Sequence, residues 1–411
     1  MTTPGLVRGW RIGLVCPALP SHLAVFEALA QGLRDRGHHP EFLLEPGVAL
    51  PGPTPRRAVP GGRAFGRRLP FLGQILSGAE RTDRLYRAGT ALARDLDLVI
   101  ADQMEPAGAL IARRLGLPLV AVAAALPLEP EPGLPLPFLD WPHDPGPDGV
   151  RRARGGAMVA RLLLWPHRRV IRRHSDGAWD TLEACLPPRP TLAQTIPGFE
   201  PPRPVSGGRL HLLGPLRPPG PLPPLPDDIR PDPARPLVYV SLGTLFGGRR
   251  RLLLRAARAA RAAGAQVLVS TGGAPEGGAA LGEAADWVRR FVPQEAVLAR
   301  ADLCVTHAGL NTALECLRHG VPMLALPLAF DQPGVAMRIA RSGTGIALPR
   351  HRRGAAALRA ATARLLADPG FRARARAFRD AATGWPGLPG ALAAIDAAIA
   401  EATEDARGAR K

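Results

Sequence analysis

The sequence predicts an α/β protein of two doubly wound, Rossmann-like domains whose parallel sheets face a central cleft. Three observations carry this. Short apolar, β-branched runs alternate with amphipathic helical stretches along the chain, the pattern of βαβ units. A proline-dense segment, Leu216–Pro236, divides that alternation. Polar residues able to do chemistry recur just past the carboxyl ends of the apolar runs, where such sheets bind ligands.

The 411 residues suit two domains of roughly 200 residues each. The expected division is a first domain over 1–215, the linker 216–236, a second domain over 237–385, and a C-terminal helix and tail over 386–411. In the first domain, Arg11–Cys16 reads as a strand, with Ser21 a candidate N-cap and His22 at the start of the helix that follows. Gly37 ends that helix and Glu41–Leu44 is the second strand. Residues 45–78 are rich in Pro, Gly and Arg and read as loop with a short helix or two. Thr82–Asp95 and Glu105–Leu115 are helical, with the buried strand Asp97–Ala101 between them, ending at Asp102. Pro118–Val122 is a further strand, 123–149 an extended proline-rich stretch, and Val150–Leu182 a helical region broken near Pro166. In the second domain, Leu237–Val240, Gln266–Val269 and Asp302–Thr306 are strands. Helices follow over Arg250–Ala263, Leu310–His319, Ala355–Ala367, Phe371–Ala382 and Ala391–Ala402, the last able to pack back across both domains.

Composition bounds the function. The formal charge is +18, yet Lys411 is the only lysine among 53 basic residues. That bias fits drift in a GC-rich genome better than a nucleic-acid module, and no such module is present in the sequence. Attraction to a diphosphate or to anionic lipid is the functional alternative. Cys16, Cys185, Cys304 and Cys316 are scattered and match neither a zinc site nor a disulfide framework. No signal peptide and no run near ~20 apolar residues is seen. The expected location is therefore the cytoplasm, free or resting on the inner face of a membrane.

The segment Phe291–Gln332 concentrates the chemistry. A strand, the turn His307-Ala308-Gly309 and a helix from Leu310 bring a helix N-terminus to the strand end, a ready site for a diphosphate. His307 can donate to a phosphate oxygen, and Gly309 admits a ligand close to the backbone. Asn311 and Thr312 offer an amide and a hydroxyl in the first turn. Glu315 lies one turn beyond Asn311, where a carboxylate accepts from both hydroxyls of a ribose. Asp331 and Gln332 suit sugar hydroxyls. Taken singly, each residue reads equally as part of an ordinary strand-to-helix turn; the ordered set does not.

That set resembles the donor signature of the UDP-sugar-dependent glycosyltransferases of the GT-B fold. The resemblance implies that His307 and Thr312 hold the diphosphate, Glu315 the ribose, and Asp331 and Gln332 the sugar. Phe291, Val292 and Gln294 would line the nucleoside, Ser241, Gly243 and Thr244 would close the phosphate side, and Gly309 and Asn311 would complete the helix start. Phe291 and Leu310 stand where plant members carry tryptophans, and the segment between Gln294 and His307 is shorter than theirs.

Transfer to an alcohol needs a base. A histidine with a carboxylate behind it suits this. The resemblance places those roles on His22, after the first strand, and Asp102, at the end of Leu98–Asp102. Their structural alternatives are a helix-start residue and a helix cap. Direct displacement would invert an α-linked donor to a β-glycoside with no cofactor and no metal, UDP-glucose being the co-substrate. Asp95-Leu96-Asp97 has the DxD form of a metal motif but falls at a strand start and reads as solvated surface.

Stretches over 97–117, 124–137, 168–174, 213–216, 241–245 and 329–336 resemble the bacterial zeaxanthin glucosyltransferase branch. The implied partners are the UDP-sugar and a carotenoid or other lipophilic alcohol. The Pro/Leu-rich stretch 124–141 could line an apolar, open cleft for such an acceptor, and an exposed apolar lip with arginines could dock on a membrane. The alternatives are a polyketide or macrolide glycosyltransferase using a dTDP-sugar, a UDP-sugar 2-epimerase, and a non-catalytic nucleotide-binding subunit.

Overall fold

A computed structural model of the chain describes residues 9–61, 71–218, 220–276 and 278–408. Parts of the expected loop 45–78 and of the C-terminal tail lie outside the described residues. The first sheet contains β1 (Arg11–Val15), β2 (His39–Leu44), β3 (Arg56–Ala58), β4 (Leu98–Asp102), β5 (Leu119–Ala123), β6 (Thr191–Ala193) and β7 (Leu210–Leu212). The second contains β8 (Leu237–Ser241), β9 (Gln266–Ser270), β10 (Trp287–Arg289), β11 (Leu303–Thr306), β12 (Met323–Ala325) and β13 (Gly345–Ala347). Strand order is β3-β2-β1-β4-β5-β6-β7 in one and β10-β9-β8-β11-β12-β13 in the other, with every pairing parallel. The central strands are apolar on both faces because helices cover both sides, as parallel sheets require.

The order reverses once in each sheet, between β1 and β4 and between β8 and β11. Loops leave these neighbours in opposite directions and open a crevice at their carboxyl ends. In register, Val15 lies beside Ala101 and Ser241 beside Thr306. His22 and Asp102 follow the first pair; Gly243, Thr244 and His307 follow the second.

The helix Gly387–Gly408 leaves the second sheet and buries Leu388, Leu392, Ile395 and Ile399 in the core of the first. Leu392 lies over Gly32: a Cβ built there would stand 2.4 Å from Leu392 Cδ1. Arg36 pairs with Asp396 at 3.1 Å and Arg189 with Glu401 at 2.8 Å along the same seam. Conversely, Ile196 and Phe199 are buried in the core of the second sheet. The two halves are thus interleaved at two points.

Several elements differ from expectation. The helix near residue 82 runs over Phe71–Leu92, and the region after 147 forms two helices, Pro147–Leu163 and Trp165–His174. Ser21 does not cap the first helix. Pro20 occupies its first position with the backbone of Leu19 as cap, so Ser21 lies inside the first turn. Along 124–141 only Phe138 is an exposed large apolar side chain, because Leu126 and its neighbours fold into the space between the sheets.

Candidate active site

Pro20 starts the first helix directly after the β1 loop, which aims its first turn, and His22 with it, at the crevice. His22 Nδ1 lies 2.8 Å from Asp102 Oδ2, and both side chains are buried. The other Asp102 oxygen accepts the Met104 N–H at 2.8 Å, which fixes the carboxylate. With Nδ1–H donated to Asp102, Nε2 is the ring's acceptor nitrogen. Burial opposes charge on the ring, but the charge and hydrogen bond of Asp102 outweigh it, and His22 is raised above its ordinary value. Asp331, from the other sheet, raises it further, and Arg81 opposes. Arg81 is pinned by donating to the Cys16 carbonyl at 3.0 Å.

Across the cleft, the turn after β11 is backbone-strained. Ala308 is buried with φ +63°, costing about 1–2 kcal/mol for a residue with a Cβ. Its N–H is held by Thr306 Oγ1 at 3.2 Å. Such strain persists where the surroundings over-determine it, and it often marks a site. Burial alone pushes His307 down to about 4, so the ring is neutral at pH 7 and carries one N–H to donate. His307 Nδ1 has no hydrogen-bond partner among the described residues. Two glycines make room for the ring. A Cβ at Gly309 would lie 2.7 Å from His307 Nε2, and one at Gly243, where φ is +70°, would lie 2.7 Å from Cε1. Gly309 is also the N-cap of Leu310–His319, so the first N–H groups of that helix have no intrahelical acceptor.

One turn in, Glu315 is buried and its carboxyl is raised by that burial, against the opposing effects of Arg217 and of the Gln294 hydrogen bond. Arg217 forms an ion pair with Glu315 Oε1, and Gln294 Nε2 donates to Oε2. Gln294 Nε2 also lies 3.3 Å from Thr312 Oγ1, and Gln294 Oε1 accepts from the Tyr239 hydroxyl at 3.2 Å. Phe291 is 64% exposed, its ring over Gly273, while Val292 packs on the core. Thr244 is exposed, and Ser241 Oγ accepts the Gly243 N–H at 3.3 Å.

The halves meet at specific contacts. Gln194 donates to Asn311 Oδ1 at 3.0 Å, and Asp331 Oδ2 accepts the Leu126 N–H at 3.3 Å. Burial raises Asp331, with the Leu126 bond and His22 opposing. Gln332 Oε1 accepts from Leu328 and Ala329 at 2.7 and 2.9 Å. It therefore holds its own loop, and only its amide N–H₂ is left for a ligand. Phe330, at φ +56°, stands in that loop 6.3 Å from Phe246. Beneath, Arg338 makes two bonds to Glu200, at 2.9 and 2.6 Å, both side chains buried.

The structure thus gathers the second-sheet residues around the helix start at Leu310 and sets His22 and Asp102 opposite, with Asp331 between them. Arg217, Gln194 and Arg81 also reach this region, and sequence reasoning missed them. Each acts from a distant position, and only Arg217 had a cue, adjoining the Leu213–Leu216 stretch named above. Asp95 pairs with Arg11 and Arg57 at the surface, and Asp97 accepts the Arg11 N–H at 2.8 Å, both away from the crevice. Among the described residues no three His, Cys, Asp or Glu side chains converge as metal ligands.

Residues 268–394 match the family model described as Erythromycin biosynthesis protein CIII-like, C-terminal domain. The chain is 34% identical to a zeaxanthin glucosyltransferase of Pseudescherichia vulneris, over 94% of this chain and 97% of that protein. It is 32% identical to the zeaxanthin glucosyltransferase of Pantoea ananas, over 80% and 83% respectively. Among solved structures, the kitacinnamycin glycosyltransferase superposes with a TM-score of 0.73 at 20% identity, covering 95% of this chain and 99% of that one. The calicheamicin glycosyltransferase CalG4 gives 0.69 at 22% identity, covering 96% and 99%. These two agree with the two-sheet architecture, which is the GT-B fold. By its identity to the curated relatives along nearly its whole length, the chain belongs to the zeaxanthin glucosyltransferase family of GT-B glycosyltransferases, enzymes that transfer a sugar.

Proposed function

We propose that the protein moves glucose from UDP-glucose to a hydroxyl of zeaxanthin or a related hydroxycarotenoid, giving a β-glucoside by single displacement. The observation that carries this reading is the buried His22–Asp102 pair, 2.8 Å apart and within electrostatic reach of Asp331 across the cleft. His22 Nε2 takes the acceptor O–H proton. The acceptor oxygen bonds to the anomeric carbon as the bond to the diphosphate oxygen breaks, and the diphosphate leaves with the electron pair. Asp102 holds the tautomer and steadies the imidazolium.

The leaving diphosphate is received by the N–H groups at Leu310–Thr312, by neutral His307 and by Thr244, so the reading needs no metal. Glu315 and Gln294 take the ribose hydroxyls once Arg217 yields, Phe291 and Val292 the base, and Asp331 with the Gln332 amide the glucose hydroxyls. The carotenoid acceptor is supported by the names of the two curated relatives.

A second donor reading, a dTDP-sugar, is supported by two solved structures of the same fold, glycosyltransferase VinC in complex with dTDP and the rhamnosyltransferase SpnG complexed with thymidine diphosphate. Incubating the purified protein with zeaxanthin in detergent and either UDP-glucose or dTDP-glucose, with pigments resolved by chromatography and mass, tests both. A hexose-shifted pigment with UDP-glucose alone supports the first reading, and one with dTDP-glucose alone supports the second. No shift with either removes the carotenoid.

A further inference from the structure

We infer that the helices Pro147–Leu163 and Trp165–His174 form a docking face for an anionic phospholipid bilayer. The helix Trp165–His174 is anchored from beneath. Pro166 and Ile171 are buried, His174 meets Asp83 at 2.6 Å, and Tyr86 stacks on His174 with centroids 4.0 Å apart. Among the described residues the opposite side is uncovered. Met158, Val159, Leu162, Leu163 and Trp165 are between 42% and 67% exposed. Met158 with Leu162, and Val159 with Leu163, are spaced i, i+4 and share one helix face. An exposed apolar face of this kind marks an interaction site rather than a solvated surface.

The charge around it selects the occupant. Residues 147–174 hold eight arginines against a single acidic residue, Asp148. Arg151, Arg152, Arg168 and Arg173 have carboxylate partners, but Arg154, Arg161, Arg169 and Arg172 have none among the described residues. Arg169 and Arg172 flank Trp165 in a shallow groove that suits a lipid phosphate. An apolar face rimmed by free arginines and carrying a tryptophan matches the boundary between headgroups and acyl chains. A second copy of the chain fits poorly, since a two-fold contact would set these arginines against their own images. The face is also tied to the cleft. Gly156 rests on Trp141 and Leu139, where a Cβ would lie 2.8 and 2.9 Å from them, and their loop reaches Asp331 through Leu126. The inference concerns the surface only and holds for any acceptor.

Flotation of the full chain with vesicles tests it. The protein is expected to float with phosphatidylcholine–phosphatidylglycerol vesicles, less so at high salt, and not with phosphatidylcholine alone. L162E/W165E should stay in the load, and R169A/R172A should bind roughly 30-fold more weakly, each arginine near an anionic surface contributing about fivefold. All four side chains lie at the surface, so an unchanged melting midpoint shows that the variants are folded. No flotation of the parent protein, or equal flotation of both variants, overturns the inference. A dimer that L162E/W165E dissociates would assign the face to a second copy and overturn it as well.

Discussion

Arg217, from the segment joining the two sheets, forms an ion pair with the buried carboxylate of Glu315 in the second. The proposed ribose acceptor is thus already engaged by a cation and by the Gln294 amide. Burial raises the Glu315 carboxyl, and Arg217 is the main opposing influence. Removing the arginine would raise it further, so a larger share of Glu315 would be protonated as pH falls. Arg217→Ala should therefore make UDP affinity fall on acidification more steeply than in the parent protein. Glu315→Ala should weaken UDP binding roughly 10–100-fold at neutral pH, the loss of one or two charge-assisted hydrogen bonds, and by less in acid, where the parent carboxyl is itself protonated. Titration calorimetry across pH measures both.

The room for His307 depends on two missing side chains. At Gly243 a methyl group would meet the ring at 2.7 Å, and φ is +70°. Gly243→Ala should cost about 1–2 kcal/mol of stability for the left-handed backbone. It should also weaken UDP binding roughly tenfold by displacing the N–H proposed to reach the diphosphate. Thermal melting and the same calorimetry separate the two effects.

Glu200 and Arg338 join the loop after β6 to the helix Gln332–Arg341. Burial would raise Glu200, but the charge and hydrogen bonds of Arg338, helped by Arg203, hold it down to about 2. A carboxyl lowered in this way stabilises the fold fully above its unfolded value of about 4.3, and that stabilisation is lost as pH falls towards 2. Arg338→Met leaves the carboxylate buried with Arg203 as its remaining cation and the Thr195 hydroxyl as a further donor. It should cost about 3 kcal/mol at neutral pH, with a smaller penalty near pH 3, as read by denaturant melts.

With His22 as the proposed base, its raised value should set the pH dependence of turnover. The base must be neutral, so the acid limb of kcat/KM should lie above 6.5, the ordinary histidine value. Asp102→Asn removes the charge that raises the ring. It should move that limb to lower pH and reduce the plateau by ~100-fold or more. A rate profile in both proteins shows the direction.

Much of this was legible in the sequence. The apolar runs that became β1, β4, β5, β8, β9 and β11 are buried on both faces, so their composition announces them. β3 is the edge strand Arg56-Arg57-Ala58, with arginines that solvate the edge and mask its pattern. β6 and β10 are three residues each, too short to show a period. The helix start at Leu310 was readable because its strand, turn and cap are contiguous. Arg217, Gln194 and Arg81 were not, because their partners lie far away in the chain and only the folded crevice joins them.

The most direct test of the central claim is the initial rate of glucosyl transfer to zeaxanthin by His22→Ala, measured beside its UDP affinity. A rate at least ~100-fold lower with UDP affinity kept is the predicted result, the signature of a lost general base in an intact donor site. Transfer at the parent rate would contradict the assignment of His22 as the base.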